Sequence, residues 1–304
     1  NIAIIGAGPA GIACACEART LGFQVEIFEA KDKPTGLTVH GIAPYKITNE
    51  EVLREVEYLQ NQLGFEIHYN SLINSKDQLE KLENAYDAIF VGVGLGETAI
   101  LELDGEDKKG VIGAVEFIEE LRMKQHQVRV PNKVVVIGGG NTAMDAASEA
   151  ARMGARKIVL AYRNSKDNMG AYGFEYDLAI SSGVDTLFNV TPLSIVGKGK
   201  VEGVKFAKTE MIEGKLKTNM NNTFIVRCDL VIKATGQAKQ GHLYELIDGL
   251  DIDNKTRIKT NDEFQTSNPK YFAGGDAING GAEVVNAAYD GKMAAQGIHN
   301  WLTK

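Results

Sequence analysis

Short apolar runs alternate along the chain with segments in which apolar residues recur at helical spacing. Residues 2–5 and 86–93 are largely apolar runs, and residues 52–63 carry Val or Leu every three or four positions. Such runs are typical of strands buried on both faces of a parallel sheet, and the wider spacing is typical of an amphipathic helix. This order predicts an α/β fold in which helices cover a parallel sheet.

A glycine-rich turn joins the first strand to the first helix. Gly6 permits a tight turn, Gly8 lets the backbone approach a pyrophosphate, and Gly11 lets the helix pack close to the strand. The first N–H groups of that helix favour negative charge. A second strand ends on Glu29, where a carboxylate can accept hydrogen bonds from ribose hydroxyls. The pattern predicts a dinucleotide-binding fold, and a chance glycine turn is the alternative.

The same pattern occurs a second time. Residues 134–137 form an apolar run, followed by the turn 138–143 and a helical segment that reaches residue 153. Ala143 stands at the third glycine position, and its side chain is still small enough for helix–strand packing. Two such patterns in one chain predict two dinucleotide-binding folds.

The second strands of the two folds end on opposite charges. Glu29 suits free ribose hydroxyls, and its charge would repel a 2′-phosphate. Arg163 and Lys166 follow the second strand of the second fold and suit a 2′-phosphate. We therefore expect FAD in the first fold and NADPH rather than NADH in the second. A solvated surface charge is the alternative for Arg163.

Two later segments fit bound cofactors. Residues 229–233 are a predicted strand that runs into the small residues 234–236, which would let the backbone pass beside a cofactor; a plain turn is the alternative. Another apolar strand leads through two glycines to Asp276, whose carboxylate can hold a ribityl chain; a turn capped by an acid is the alternative. The helix predicted from about residue 283 to 302 would point its N-terminal N–H groups at the pyrimidine edge of a flavin.

The remaining segments are less regular. Residues 35–47 predict an irregular loop that wraps a ligand, and residues 101–131, with one helix, a crossing between domains. Residues 194–208 and 224–227 resemble antiparallel ribbons around a polar hairpin at 219–222.

Composition narrows the function classes. The net charge of the 304 residues is −7 without a basic block, so we expect no nucleic-acid partner. There is no run of about 18 apolar residues, so we expect no membrane span. The three cysteines include no Cys-x-x-Cys pair, which argues against a thioredoxin-type dithiol and predicts small buried side chains in a reducing cytoplasm. The five histidines are scattered, and only His40 lies in a loop near the predicted flavin site; a surface or packing role is the alternative for it.

Together these motifs resemble the FAD-dependent pyridine-nucleotide oxidoreductases of the glutamate synthase small-subunit type, a module also found in dihydropyrimidine dehydrogenase. The resemblance covers essentially all of the chain. The motifs that carry it are residues 6–11, Gly36-Leu37, residues 41–46, 91–94, 138–143, 161–163, 234–236 and 273–276.

The resemblance implies an α/β fold class: two Rossmann-like dinucleotide-binding domains in the three-layer ββα architecture of the flavoprotein disulfide reductases, the second domain inserted in the first. Its expected limits are 1–108 and 237–304 for the two parts of the FAD-binding domain and 109–236 for the NAD(P)H-binding domain.

Motifs and resemblance together give a set of predicted cofactor-binding residues, with no catalytic side chain and no metal ligand. The set is Gly6, Gly8, Pro9, Ala10, Gly11, Glu29, Ala30, Gly36, Leu37, Gly41, Lys46, Gly92, Gly94, Gly138, Gly140, Asn141, Thr142, Ala143, Arg163, Ala234, Thr235, Gly236, Gly275, Asp276, Val284 and Val285. The resemblance makes FAD contacts of Glu29, Gly36, Leu37, Lys46 and Asp276, and nicotinamide-dinucleotide contacts of Asn141, Thr142 and Arg163.

The chain departs from the family pattern at several points. It has Thr35-Gly36 where the family usually has Gly-Gly, Asn141 where it has Asp, and Arg163-Asn164 where it often has Arg-Arg. NADH therefore stays an alternative to NADPH. The cysteine-rich iron–sulfur domain of the family is absent from these residues, so we expect either that it was removed or that another polypeptide accepts the electrons.

Two functions follow. In the first, NAD(P)H passes hydride to N5 of FAD, and the electrons go on to a partner subunit or an iron–sulfur centre; the protein supplies orientation rather than an acid, a base or a nucleophile. In the second, the nucleotide site is degenerate, and the chain is a flavin-binding module that acts as a structural or electron-relay subunit. A thiol-disulfide reductase is excluded by the missing cysteine pair.

Overall fold

A computed structural model describes residues 1–124 and 127–304. The chain divides into two compact units. The first contains Asn1–His40, Ile47–Gly96 and Lys239–Lys304, and the second contains Gly41–Lys46 and Glu97–Ala238. The functional limits expected at 108/109 and 236/237 stay a prediction.

The helices and strands of the described residues alternate as an α/β fold requires. The helices are α1 (Pro9–Thr20), α2 (Leu37–His40), α3 (Asn49–Leu63), α4 (Lys76–Ala85), α5 (Ala114–Lys124), α6 (Asn141–Arg152), α7 (Gly173–Ser181), α8 (Gly241–Leu246), α9 (Asp276–Asn279) and α10 (Val284–Leu302). The strands are β1 (Ile2–Ile5), β2 (Val25–Phe28), β3 (Glu66–His68), β4 (Ala88–Val91), β5 (Val111–Gly113), β6 (Lys133–Ile137), β7 (Lys157–Tyr162), β8 (Val184–Phe188), β9 (Val190–Val196), β10 (Gly203–Ile212), β11 (Lys215–Val226), β12 (Leu230–Lys233) and β13 (Tyr271–Ala273). A short 3₁₀ turn covers Lys166–Asn168.

The sheet of the first unit is parallel and has the strand order β13-β4-β1-β2-β3. All four residues of β1 are buried, and Ile4 lies between Ile27 on β2 and Phe90 on β4. The chain adds β2 and β3 on one side of β1 and then crosses over to add β4 and β13 on the other side. The order in which strands are added therefore reverses beside β1. Ligands of open α/β sheets bind at the carboxyl ends of strands at such a reversal.

Two helices of the first unit pack unusually closely. Helices α1 and α10 are in contact, and a Cβ on Gly291 of α10 would overlap the Ala10 carbonyl oxygen of α1. Cys14 on the same face of α1 is fully buried. Cys228 is also buried and Cys16 half-buried, and all three cysteines are free. The buried small residues of α1 therefore serve packing; the predicted burial holds for Cys14 and Cys228 but only in part for Cys16.

The second unit repeats the parallel sheet, in the order β5-β12-β6-β7-β8. The predicted helix of the 101–131 segment is confirmed as α5. The same segment also supplies β5, an edge strand that pairs with β12. The segment is thus part of the second sheet and more than the predicted crossing between domains. A three-residue strand with two half-buried positions leaves too little pattern to predict.

A three-stranded antiparallel sheet, in the order β11-β10-β9, completes the second unit. The ribbons were predicted, but the position of the hairpin was wrong. The turn lies at Glu213 and Gly214, both with φ in the left-handed region, and residues 219–222 fall within β11. The ladder pairs Ala207 with Thr223 and Lys208 with Asn219, so the residues between form a bulge. Polar residues that fit a turn equally well fit a bulge on an exposed edge strand.

Candidate functional site

The glycines of the first turn are required by backbone packing. Gly6 has φ +98°, and a Cβ there would lie 2.7 Å from the Gly92 carbonyl oxygen. A Cβ on Gly11 would overlap the Gly6 carbonyl oxygen. The end of β1, the start of α1 and the end of β4 therefore meet backbone to backbone. We call this turn, residues 6–11, the first cradle.

The predicted loop residues lie against the first cradle. Thr35 donates its backbone N–H to the Ala7 carbonyl oxygen at 2.6 Å. A Cβ on Gly36 would lie 3.3 Å from Gly8 Cα. Leu37 then begins α2. The structure brings the 35–37 segment and the glycine turn together, as a site that encloses a pyrophosphate needs.

Glu29 is held rigidly at the end of β2. Its carboxylate is buried, and its two oxygens accept hydrogen bonds from the N–H groups of Ala7 at 2.7 Å and Lys31 at 2.8 Å. Each carboxylate oxygen has a further lone pair for a ribose hydroxyl. The acid thus lies beside the first cradle, next to the exposed Ala30.

The last predicted flavin-site residues come from the C-terminal part of the first unit. Asp276 begins α9, and its Oδ1 accepts a hydrogen bond from Ala282 N–H at 3.0 Å. Burial raises the pKa of the Asp276 carboxyl, although this hydrogen bond opposes the shift. A Cβ on Gly275 would lie 3.1 Å from Ala10 Cβ, so this segment reaches the start of α1. Val284 and Val285 are exposed in the first turn of α10.

The second cradle, residues 138–143, shares this plan. Gly138 has φ +151°, and a Cβ there would overlap the Ala234 carbonyl oxygen. A Cβ on Gly139 would lie 2.5 Å from the Tyr162 ring, whereas one on Gly140 would meet nothing within 4 Å. Ala143 is fully buried, so here the third position accommodates a methyl group. Gly140 is thus the open position at which a ligand can approach the backbone.

The exit of β12, residues 234–236, lies beside the second cradle, and its passage beside a bound cofactor stays a prediction. Besides the Ala234 contact with Gly138, Gly236 has φ +107° and its carbonyl accepts the Ala99 N–H at 2.9 Å. In the first unit, Gly92 has the matching position, and Gly94 has φ +62°.

The side-chain oxygen of Asn141 already accepts a hydrogen bond within the protein. Its Oδ1 accepts the Tyr172 N–H at 2.9 Å, and Ala171 N–H donates to the Gly139 carbonyl at 3.0 Å. Residues 171–172 are therefore attached to the second cradle, which the sequence did not indicate. Thr142 is exposed in the first turn of α6.

The predicted phosphate-binding side chains differ in their freedom. Arg163 is exposed, and its guanidinium forms no ion pair with any residue of 1–124 or 127–304. Its backbone carbonyl is fixed by the Thr209 hydroxyl, which donates at 2.6 Å. Lys166 Nζ lies 4.3 Å from the centroid of the Tyr176 ring. Arg163 can thus turn toward an anionic ligand without breaking an ion pair.

The sequence did not predict a network of charged and polar side chains in the second unit, in which the two carboxylates are buried. Lys46 Nζ lies 2.7 Å from Asp145 Oδ1 and 2.6 Å from Glu175 Oε1, and the Tyr45 hydroxyl donates to Asp145 at 2.7 Å. Burial raises the pKa of both the Asp145 carboxyl and the Tyr45 hydroxyl. The Asp145 and Glu175 side chains are buried, Tyr45 is half-buried, and 27% of the Lys46 side chain is exposed. We call these four residues the charge network.

The network attaches residues 41–46 to the second unit. Arg122 reinforces it by donating to the Ile42 carbonyl at 2.6 Å, and the Arg152 guanidinium lies 4.5 Å from the centroid of the Tyr45 ring. Gly41 and Lys46, which the resemblance implies as cofactor contacts, therefore belong to this unit. The one sequence signal was the acids of α6, at Asp145 and Glu149, on a helix otherwise rich in alanine.

Among the described histidines of the first unit, one lies in the loop predicted near the flavin and one lies beside a carboxylate. His40 is buried in α2, and His68 Nε2 lies 2.6 Å from Glu26 Oε2 on the neighbouring strand. His126 lies outside the described residues. No helix of the part that the structure describes is both long and apolar enough to cross a membrane.

Comparison with known proteins identifies the family. Residues 1–291 match the pyridine nucleotide-disulphide oxidoreductase family. The chain belongs to this family. The match confirms the predicted NAD(P)H-dependent flavin oxidoreductase and its cofactors, FAD and NAD(P)H, and it agrees with the α/β class of the structure.

Individual members narrow the resemblance. The chain is 36% identical to the glutamate synthase [NADPH] small chain of Escherichia coli K12 and 30% identical to the NAD-dependent dihydropyrimidine dehydrogenase subunit PreT of the same organism. Both alignments cover 99% of this chain and 68% of the relative. The predicted resemblance to the glutamate synthase small subunit is thereby confirmed.

A solved structure supports the fold of this family. Mycobacterium tuberculosis FprA in complex with NADPH superposes with a TM-score of 0.82 at 19% identity, over 99% of this chain and 84% of that one. The contributions of individual residues to cofactor binding stay predictions.

Proposed function

We propose that this chain is the flavin-containing electron-entry module of an NADPH-dependent oxidoreductase. It would take hydride from NADPH onto FAD and pass the electrons to an electron-accepting protein or an iron–sulfur centre. The observation that carries the proposal is the pair of cradles, each built from backbone contacts that leave no room for a Cβ at the first glycine. The carboxylate of Glu29 lies beside the first cradle, where the Ala7 N–H donates to it, and the exposed Arg163 follows the strand β7 of the second fold.

The residues of the first unit would bind and orient FAD. Glu29 would accept hydrogen bonds from the adenosine ribose, the first cradle would hold the pyrophosphate, and Asp276 would bind the ribityl chain. The first N–H groups of α10 would stabilise negative charge at the flavin. Bound FAD supplies two-electron chemistry with a nicotinamide and can release electrons one at a time, so the protein has to provide orientation and exclusion of water rather than an acid or a base.

We propose NADPH as the preferred nucleotide because Arg163 and Lys166 follow β7 and no acid ends that strand. The names of the relatives divide on this point, since one is designated for NADPH and the other NAD-dependent. NADH therefore serves as the comparison in each experiment.

The acceptor is proposed from the relatives. The two that we compared are named a small chain and a subunit, which supports a partner polypeptide that receives the electrons. A cytoplasmic location, expected from the cysteines, stays a prediction that agrees with three free thiols.

One observation favours the second candidate, a flavin-binding module with a degenerate nucleotide site. The Asn141 side-chain oxygen already accepts the Tyr172 N–H, so it is only partly available to a ligand. Anaerobic titration of the FAD-loaded chain with NADPH and with NADH separates the two candidates. The proposed enzyme loses the visible absorption band of its flavin with NADPH, and less readily with NADH. A band that persists with both nucleotides would eliminate hydride transfer.

A further inference from the structure

Thr35 combines two unfavourable features in one residue. Seven non-glycine residues of the described chain have positive φ, and among them Thr35, at φ +73°, is the only buried one. A β-branched residue is a rare occupant of the left-handed region. The Thr35 hydroxyl is also buried and has no hydrogen-bond partner in residues 1–124 and 127–304. A glycine at this position would avoid both costs.

A second hydroxyl nearby shares this state. Thr38 is buried in α2, its Oγ1 also lacks a partner among the described residues, and its backbone N–H donates to the Thr35 carbonyl at 3.0 Å. Buried polar groups are normally paired, so two unpaired hydroxyls within one turn of chain indicate a partner that is not part of the protein.

The position of Thr35 indicates what that partner is. Its N–H is bound to the Ala7 carbonyl, and the next residue, Gly36, lies against Gly8. Thr35 is thus fixed on the turn that we propose faces the FAD pyrophosphate. A threonine hydroxyl is both donor and acceptor, and it can donate to a phosphate oxygen.

We propose that Thr35 is a cofactor-binding residue whose hydroxyl donates a hydrogen bond to the FAD pyrophosphate. The inference rests on the proposed binding of FAD at the first cradle. The hydroxyl is buried without a partner among the described residues, and rotation about the Cα–Cβ bond would turn it toward a phosphate oxygen of FAD. The hydrogen bond to FAD would then offset the cost of the positive φ, a use of backbone strain that is common at binding sites.

Three substitutions separate the hydroxyl from the strain. Thr35→Val keeps the branched shape and removes the hydroxyl, Thr35→Ser keeps the hydroxyl, and Thr35→Gly removes both the hydroxyl and the strain. We expect Val and Gly to weaken FAD binding about 10-fold, the usual effect of losing a hydrogen bond to a charged group. Ser should bind FAD within about twofold of the wild type.

Two measurements decide the inference. Fluorescence titration of the apoprotein with FAD gives the Kd, and thermal unfolding of the apoprotein reports the strain. We expect Thr35→Gly to melt above the wild type as apoprotein although it binds FAD more weakly. Thr256, at φ +56° and half-buried, is the matched control: Thr256→Gly relieves a similar strain, and Thr256→Val should leave the FAD Kd unchanged.

The outcomes are distinct. If wild-type apoprotein binds FAD and Thr35→Val binds it equally tightly, the Thr35 inference is wrong and the proposed function stands. If Val and Ser weaken binding alike, shape rather than the hydroxyl matters, and the inference is again wrong. If wild-type apoprotein does not bind FAD, the proposed function fails and the role of Thr35 fails with it.

Discussion

The two cradles share one backbone plan and differ in how closely the helix approaches the strand. In the first cradle, a Cβ on Gly11 would overlap a carbonyl oxygen, whereas the second cradle buries the methyl group of Ala143 at the same position. The first position is alike in both, since neither Gly6 nor Gly138 leaves room for a side chain. The turn itself therefore requires glycine at the first position of both cradles, whereas glycine at the third position is required only where the helix packs as closely as α1 does.

The charged residues beside the two cradles also differ, in burial and in hydrogen bonding. Glu29 is buried and held by two backbone N–H groups, while Arg163 is exposed and forms no ion pair with the described residues. A fixed acid suits a cofactor that stays bound, and a free cation suits a nucleotide that enters and leaves in each turnover. We therefore expect the first cradle to tolerate less change than the second.

The largest effect is expected at the third position of the first cradle. Gly11→Ala forces α1 away from β1, because the new Cβ overlaps the Gly6 carbonyl oxygen. We expect a loss of about 3 kcal/mol in unfolding free energy and loss of FAD binding. Denaturant unfolding and FAD titration measure both.

The reciprocal change in the second cradle is the control. Ala143→Gly should cost only about 1 kcal/mol and leave FAD binding intact. Normal FAD binding by Gly11→Ala would show that the two cradles do not differ in this way.

The next effect concerns the helices behind the cradles. The buried face of α1 is apolar, whereas α6 buries Asp145, whose partner is Lys46. Lys46→Met leaves Asp145 and Glu175 without their cation, and we expect a loss of about 3 kcal/mol in the unfolding free energy. Lys76→Met, which breaks an exposed pair with Asp248, should leave the unfolding free energy nearly unchanged.

The pH dependence of this loss has a definite sign. Burial already raises the pKa of Asp145 in the native protein, and removal of Lys46 raises it further. A raised carboxyl pKa means that the folded state binds the proton more tightly than the unfolded state, so lowering the pH increases the unfolding free energy of the variant. The difference in unfolding free energy between wild type and Lys46→Met should shrink as the pH falls through the raised pKa of Asp145, which lies above the ordinary aspartate value of about 4. A difference that grows with acid would contradict the assignment.

The smallest effect concerns the exposed cation. Arg163→Ala should weaken NADPH about 10-fold and NADH little, because only NADPH has the 2′-phosphate. Arg227→Ala, at another exposed position of the second unit, should change neither. Equal losses for both nucleotides in Arg163→Ala would mean that Arg163 does not recognise the 2′-phosphate.

Much of this plan could be predicted from the sequence because its signals are local. The apolar run of β1, the glycine turn and Glu29 lie within the first 29 residues, and the second unit repeats the strand and the glycine turn. The charge network joins Tyr45 and Lys46 to residues 100 and 129 positions away in the chain, and no local pattern encodes such a pairing. The strain at Thr35 also depends on backbone angles that the residue type disfavours, so only the structure reveals it.

The central claim is that the chain has two independent dinucleotide sites, one for each cradle. Isothermal titration of FAD and of NADP⁺ into wild type, Gly11→Ala and Gly138→Ala, each confirmed as folded by its melting transition, tests it most directly. We predict one FAD and one NADP⁺ for the wild type, loss of FAD alone in Gly11→Ala, and loss of NADP⁺ alone in Gly138→Ala. A wild type that binds a single dinucleotide, or folded variants that each weaken both ligands alike, would contradict the claim.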